Sequence, residues 1–402
     1  MWHVMGRSLL AGALLLGLSA CVTGGQQPAM QASVWRPAWA LAPLPPGDAP
    51  TYDRQTVRQT LVLDAEGQAV RLRFTNELAG QAVSFGPVRL TPLDARGEAA
   101  GPAVAVTFGG NAQANLAIGA PLLSDPVSLP VVKGQRLALS IHYPGPAIVA
   151  GHRPQVEIAP GDQTGQPGPL PGAEVKRSAS PLATVEVLGQ ASPVLVAIGD
   201  SITEGDVTHQ APRGTYPRQL SALLSARGGD VARTIVVNQG IAGNRLLRPN
   251  AGASMLARFD RDALGQPGVT DIVLLIGIND IGNGSIKPGE EVTAEKVIQG
   301  LSQLRDRARA RGVRIHAGTI MPYEGAKYYR PDGEVIRQKV NDWLRSPAAG
   351  FDGLVDFDKG MRDPANPGRL LTAYDIGDRL HPSEAGYEAM ARLVEAALFP
   401  GR

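Results

Sequence analysis

Along residues 68–78, QAVRLRFTNEL, apolar and polar positions alternate strictly. Val70, Leu72 and Phe74 face one way, and Arg71, Arg73 and Thr75 the other. A period of two predicts a strand with one buried face. Residues 135–143, QRLALSIHY, repeat the pattern with Leu137, Leu139 and Ile141, and stretches 56–64, 82–93 and 103–110 are further strands by the same reading. Gly, Pro, Asn and Asp separate them, as in antiparallel sandwiches or barrels. Residues 144–175 are rich in Pro and Gly and are expected to be irregular.

From about residue 191 the rhythm changes. Five short apolar runs, at 194–199, 234–240, 271–277, 314–320 and 353–358, alternate with amphipathic stretches. Continuous apolar runs suit strands covered on both faces of a parallel sheet. Helices are predicted over 293–312, where Val297, Leu301 and Leu304 fall at helical spacing and Gly312 ends the run, and over 333–346 and 383–399, the last with Ser383 as its N-cap. Strand–helix alternation implies right-handed βαβ units and an open, doubly wound sheet. Ligands of such sheets sit beyond the carboxyl ends of the strands.

The first 21 residues follow neither pattern. Arg7 precedes an apolar run from Leu9 to Leu18, too short for a permanent span, and Leu18-Ser19-Ala20-Cys21 resembles a bacterial lipobox. That resemblance implies a signal peptide over 1–20, acylation of Cys21 and, because Val22 rather than Asp follows, sorting to the outer membrane, facing the periplasm or the cell surface. Residues 21–34 read as a tether, 35–190 as a β-sandwich-like domain and 191–402 as an α/β domain. Cys21 is the only cysteine, which excludes an internal disulfide framework and a Cys-based zinc site. With 43% hydrophobic residues, 19% charged residues and a net charge of +2, the chain can build packed cores and gives no reason to expect a nucleic-acid partner.

The polar residues after the predicted strands carry the chemistry. Ser201 follows the first, in GDSITEG; Gly240 and Asn244 follow the second, in NQGIAGNR; Asn279 and Asp280 follow the third, in GIND; Asp378 and His381 follow the fifth, in DRLHP. A serine hydroxyl needs a base within hydrogen-bond reach to act as a nucleophile. His381 can take its proton and return it to a leaving group, and Asp378 can hold the imidazole. Each residue also has an ordinary structural use: Ser as a helix cap, Asn-Asp and Gly as turn formers.

In their order and wording these four blocks resemble the SGNH/GDSL hydrolase superfamily. The resemblance covers about half the chain. Segments 240–247, 257–262 and 374–382 are similar to a branch that also has an N-terminal β domain, matched here at 72–76 and 124–127. Ile376 stands where that branch has a small residue. The resemblance implies a flavodoxin-like α/β/α sandwich and an oxyanion hole made by the backbone N–H groups of Ser201 and Gly240 and the side-chain amide of Asn279. It implies an ester hydrolase without metal or cofactor, acting on acyl esters of small molecules or glycans, with short-chain or acetyl esters first. A lysophospholipase or a non-catalytic glycan-binding lipoprotein are the alternatives. The chain lacks G-x-S-x-G, H-E-x-x-H and P-loop motifs. Asn244 and Tyr323, with Tyr328 and Tyr329, are candidate substrate contacts. Glu204 and Asp206 are candidates for the pocket mouth, Asp375 is the rival to Asp378, Asp200 reads as structural, and His316 reads as a core residue.

Overall fold

Val70, Leu72 and Phe74 are fully buried, as their alternation requires. They belong to the third strand of the computed structural model, which describes residues 33–205 and 214–401. Residues 1–32 lie outside the described range, and with them the expected signal peptide, Cys21 and most of the tether. In chain order the antiparallel part comprises β1 (Val34–Ala40), β2 (Gln55–Val62), β3 (Ala69–Thr75), β4 (Val83–Phe85), β5 (Val88–Leu93), β6 (Val104–Val106), β7 (Ala114–Leu116), β8 (Pro121–Leu123), β9 (Arg136–Tyr143), β10 (Gln155–Pro160), β11 (Glu174–Arg177) and β12 (Leu182–Gly189). One sheet runs β1-β12-β3-β8 and a larger one β11-β10-β2-β9-β5-β6, with β4-β7 as a small ribbon. Their inner faces bury Leu72, Phe74, Phe85, Leu90, Leu139 and Ile141.

Two expectations need correction here. The 82–93 stretch forms two strands, because Gly86–Pro87 interrupts it and a proline cannot donate to a ladder. The stretch expected to be irregular contains β10, which pairs with β2 and β11 and buries Val156 and Ile158.

The remaining strands are β13 (Val194–Gly199), β14 (Ile235–Gly240), β15 (Val269–Leu275), β16 (Arg314–Gly318) and β17 (Gly353–Val355). They form one parallel sheet in the order β14-β13-β15-β16-β17. This is the flavodoxin-like order of a doubly wound sheet, with its switch point beside β13. The helices are α1 (Ser201–Glu204), α2 (Tyr216–Arg227), α3 (Met255–Phe259), α4 (Ile278–Ile286), α5 (Ala294–Ala310), α6 (Pro331–Arg345), α7 (Phe357–Met361) and α8 (Glu384–Leu398). α2, α7 and α8 pack together, as do α3, α4, α5 and α6. Every residue of β13 is buried, as expected for a strand covered on both faces. The predicted caps are present: the Ser383 hydroxyl accepts the Gly386 N–H, and Gly312 follows α5 with φ +67°.

Ser33–Arg402 forms one compact unit. β1 lies against β14, and the half-buried Asp64 carboxylate accepts from the Ser221 hydroxyl and the Val236 N–H, with Lys133 Nζ 3.4 Å away. Among the described residues no helix is long and apolar enough to cross a membrane.

Candidate active site

The carboxyl ends of β13, β14 and β15 open onto one edge of the sheet. β13 ends at Gly199, where a Cβ would lie 2.2 Å from Thr203 Oγ1 and 2.4 Å from Leu275 O, so only glycine fits. Asp200 caps α1, its Oδ1 accepting the Ile202 N–H at 3.0 Å, and Ser201 becomes the first helical residue rather than the cap. Ser201 Oγ lies 2.8 Å from His381 Nε2, although 180 residues separate them. His381 Nδ1 lies 2.5 Å from Asp378 Oδ2, and Asp378 Oδ1 accepts the His381 and Leu380 N–H groups at 2.9 and 3.0 Å. Burial pushes the Asp378 carboxyl upward, but its hydrogen bonds to the His381 side chain and backbone outweigh this and hold it below the ordinary value. An ionised Asp378 can only accept, so Nδ1 carries the proton and the Nε2 lone pair faces the Ser201 hydroxyl.

Asp375 is not free to compete with Asp378. Its fully buried carboxylate accepts from Gly377 N, Arg379 N and Arg379 Nη1 at 2.7, 3.1 and 2.9 Å. Those bonds hold Arg379 in the left-handed region, at φ +66°, and so shape the loop that delivers His381.

On the other side of Ser201, Asn279 sits in the first turn of α4. Its Nδ2 donates to Asn244 O at 3.1 Å, and its Oδ1 accepts from the Tyr328 hydroxyl at 3.3 Å. The two contacts fix the amide orientation and engage one of its two N–H bonds. Asp280 accepts the Leu246 and Leu247 N–H groups at 2.7 and 3.0 Å. Burial pushes Asp200 up to about 7 and Asp280 up to about 6.

Three sequence expectations change. Gly240 N–H is committed to Asn238 Oδ1 at 2.9 Å, and a Cβ at Gly240 would sit 2.2 Å from Glu204 N. This glycine lets β14 close onto α1; it does not offer a donor to the site. Gly243, at φ +72°, is the third residue of the turn Ile241–Asn244, which the Asn244 N–H closes onto Ile241 O at 3.0 Å. Asn244 is fully buried, its amide spent on Ala251 O, Ala253 O and Arg258 Nε, so its side chain has no reach to a substrate. Tyr323 is also fully buried, with its ring against Tyr328 and Tyr329. His316 is buried as expected, 2.9 Å from Asp271. Glu204 turns inward, and Asp206 lies outside the described residues.

Sequence reasoning also passed over Arg258. It is fully buried and donates to Gly199 O at 2.7 Å, Gln239 O at 2.8 Å and Asn244 Oδ1 at 2.9 Å, with Asp262 Oδ2 at 3.1 Å balancing its charge. The only signal for it in the sequence is the family-like segment 257–262, which contains it. Among the described residues, no three His, Cys, Asp or Glu side chains gather as a metal site.

Residues 197–389 match the model of the GDSL-like lipase/acylhydrolase family. The carboxy-terminal half of the chain is a GDSL-like acylhydrolase domain. Solved structures similar to it include an acetyl xylan esterase from Geobacillus stearothermophilus (24% identity over 50% of this chain and 92% of that one, TM-score 0.39). Others are a GDSL-like lipase from Bacteroides thetaiotaomicron (18%, 50% and 85%, TM-score 0.39) and an alpha/beta hydrolase from the metagenome of Lake Arreo, Spain (24%, 50% and 93%, TM-score 0.40). No curated protein matches the chain. The GDSL domain is an ester hydrolase.

Proposed function

We propose that the chain is a serine esterase that removes short acyl groups, acetyl first, from small-molecule or glycan esters at the cell envelope. The hydrogen-bonded run Ser201–His381–Asp378, with separations of 2.8 and 2.5 Å, is the observation that carries this reading. Ser201 Oγ attacks the ester carbonyl while His381 Nε2 takes its proton. The tetrahedral oxyanion is held by the Ser201 N–H, by the N–H of Asn279 Nδ2 that Asn244 does not use, and by the Gly243 N–H in place of Gly240. Asn279 already touches the turn that carries Gly243, through Asn244 O. Collapse expels the alcohol, protonated by His381, and leaves an acyl group on Ser201. Water then attacks that ester with His381 as base, releasing the acid and restoring the hydroxyl.

Two observations favour short acyl chains. Aromatic residues are only 5% of the sequence, and among the described residues the exposed large apolar side chains Ile118, Leu123, Val132, Val175 and Val335 lie outside the elements that carry Ser201, Asn279 and His381, while Ile286 is at the opposite end of α4 from Asn279. A long acyl chain needs an apolar trough. The test is hydrolysis of p-nitrophenyl acetate against the octanoate by the wild type and Ser201→Ala. The reading requires activity strongest on acetate and absent from the variant. Equal rates from the two proteins would refute it, and preference for octanoate would move the substrate toward lipids. The envelope assignment rests on the lipobox at Cys21: Cys21→Ser is expected to move the protein from the membrane to the soluble fraction.

A further inference from the structure

Glu204 is the sixth residue of GDSITEG, three after Ser201, yet its carboxylate is not at a solvent-facing rim. It is nearly buried, and its Oε1 is met by two side chains of the antiparallel part, His152 Nε2 and Arg177 Nη2, each at 3.2 Å. Its Oε2 accepts the Ala242 N–H, in the turn Ile241–Asn244. A buried carboxylate is tolerated only when paired and hydrogen-bonded, and opposing burial these contacts hold Glu204 below its ordinary pKa. One side chain therefore links the helix that begins with Ser201, the turn that carries Gly243, and the antiparallel part.

The imidazole that reaches Glu204 has a rigid seat. Gly151, at φ +138°, packs so closely on residue 180 that a Cβ would lie 1.8 Å from Ser180 O. Ser180 N–H donates to His152 O at 2.8 Å, and His152 Nδ1–H donates to Ala42 O at 2.9 Å. Nε2 is thus aimed at Glu204 by three segments of the antiparallel part. Adhesion between the two parts does not depend on this contact, because Asp64 supplies a separate one through Ser221, Val236 and Lys133.

We propose that His152 is a positioning residue for ester hydrolysis: from the antiparallel part it fixes Glu204, and through Glu204 it sets the turn that presents the Gly243 N–H to the oxyanion. The proposal rests on the serine-esterase reading above. It assigns the β region a part in the reaction at an atom-to-atom level, with no contact between that region and the substrate.

Two replacements at His152 separate positioning from packing, because an Asn amide nitrogen stands where Nδ1 was and a Gln amide nitrogen where Nε2 was. His152→Asn keeps the bond to Ala42 O and loses Glu204; His152→Gln does the reverse. On p-nitrophenyl acetate with the full chain, His152→Asn is expected to lower kcat about tenfold with KM unchanged, as misplacement of a donor does, and His152→Gln to stay within about twofold of wild type. Glu204→Gln, nearly isosteric, is expected to repeat the kcat loss and serves if His152→Asn does not fold. Asp64→Asn, at the other contact, is expected to lower the melting temperature and leave kcat unchanged. Folded His152→Asn or Glu204→Gln with wild-type kcat, or equal losses in His152→Asn and His152→Gln, would overturn the proposal while leaving the esterase intact. A wild type no faster than Ser201→Ala would overturn the esterase reading and this proposal with it.

Discussion

The two parts of this molecule use hydrogen-bonded polar groups in different ways. In the antiparallel part they close loops onto the sheets. Arg58 donates to Ser140 Oγ and to the carbonyls of Gln166 and Gly168, and Asp125 accepts from Thr107 Oγ1, Gly109 N and Gly110 N. In the parallel part the corresponding groups (Ser201, Asn279, Asp280) gather at one edge, because all five strands point the same way. Antiparallel strands deliver successive chain reversals to opposite ends of a sheet, whereas parallel ones bring every strand-to-helix junction to a single end. Strand direction, more than composition, decides which half can assemble a site from distant segments.

The largest effect that would break this contrast is chemical. Ser201→Ala should abolish esterase turnover, a loss of about 10⁴-fold or more, while the melting temperature stays within a degree or so of wild type. A variant with retained activity would move the nucleophile elsewhere. Next is a substitution that should act only on stability. Phe74 is fully buried, 5.1 Å from the Phe85 ring and 5.7 Å from Phe108. Phe74→Ala should cost about 3–5 kcal/mol in denaturant unfolding, with kcat of the folded protein unchanged. Asn279→Ala should lower kcat by about 10²–10³ with little change in KM, as loss of one oxyanion donor does; an equal rise in KM would assign Asn279 to ground-state binding instead.

The smallest effect sharpens the contrast through pH. The Asp200 carboxyl, ordinarily near 3.8, is pushed by burial to about 7. The folded state then holds a proton that the unfolded chain releases, so this group's contribution to stability falls as pH rises from about 4 to about 7 and is level above. Asp200→Asn keeps the acceptor for Ile202 N–H and cannot ionise. Melting temperatures measured from pH 4 to 8 should fall less steeply for the variant, with the two proteins closest at pH 4 and the variant higher at pH 8. A parallel pair of curves would mean that Asp200 stays ionised.

Much of this was legible in the sequence for a physical reason: periodicity reports burial locally. The alternation at Val70, Leu72 and Phe74 and the continuous run of β13 each identify their own environment without reference to the rest of the chain. The blocks around Ser201, Asn279 and His381 are legible because a strand end is a local event too. What escaped depends on choices between neighbours. Gly240 ends β14 and Gly243 follows it three residues on, and only the bond that Gly240 N–H donates to Asn238 Oδ1 decides which N–H is committed. Tyr323 and Tyr328 lie in one loop, and packing alone turns the first inward and brings the second to Asn279. The His152–Glu204 contact joins segments 52 residues apart, with no periodicity to announce it. β10 escaped because flanking prolines and glycines masked a two-residue alternation.

Arg258 has a further consequence. A single guanidinium holds the last carbonyl of β13, the Gln239 carbonyl beside β14's end and the side chain of Asn244, whose own carbonyl receives Asn279. The segments that carry Ser201 and Asn279 are therefore tied together beneath the surface, rather than by the loops that form the rim above them. Variation in those upper loops can reshape what the enzyme admits without retuning the distances on which bond cleavage depends. Such a division lets substrate preference diverge among descendants of one ancestor while the chemical step is inherited intact.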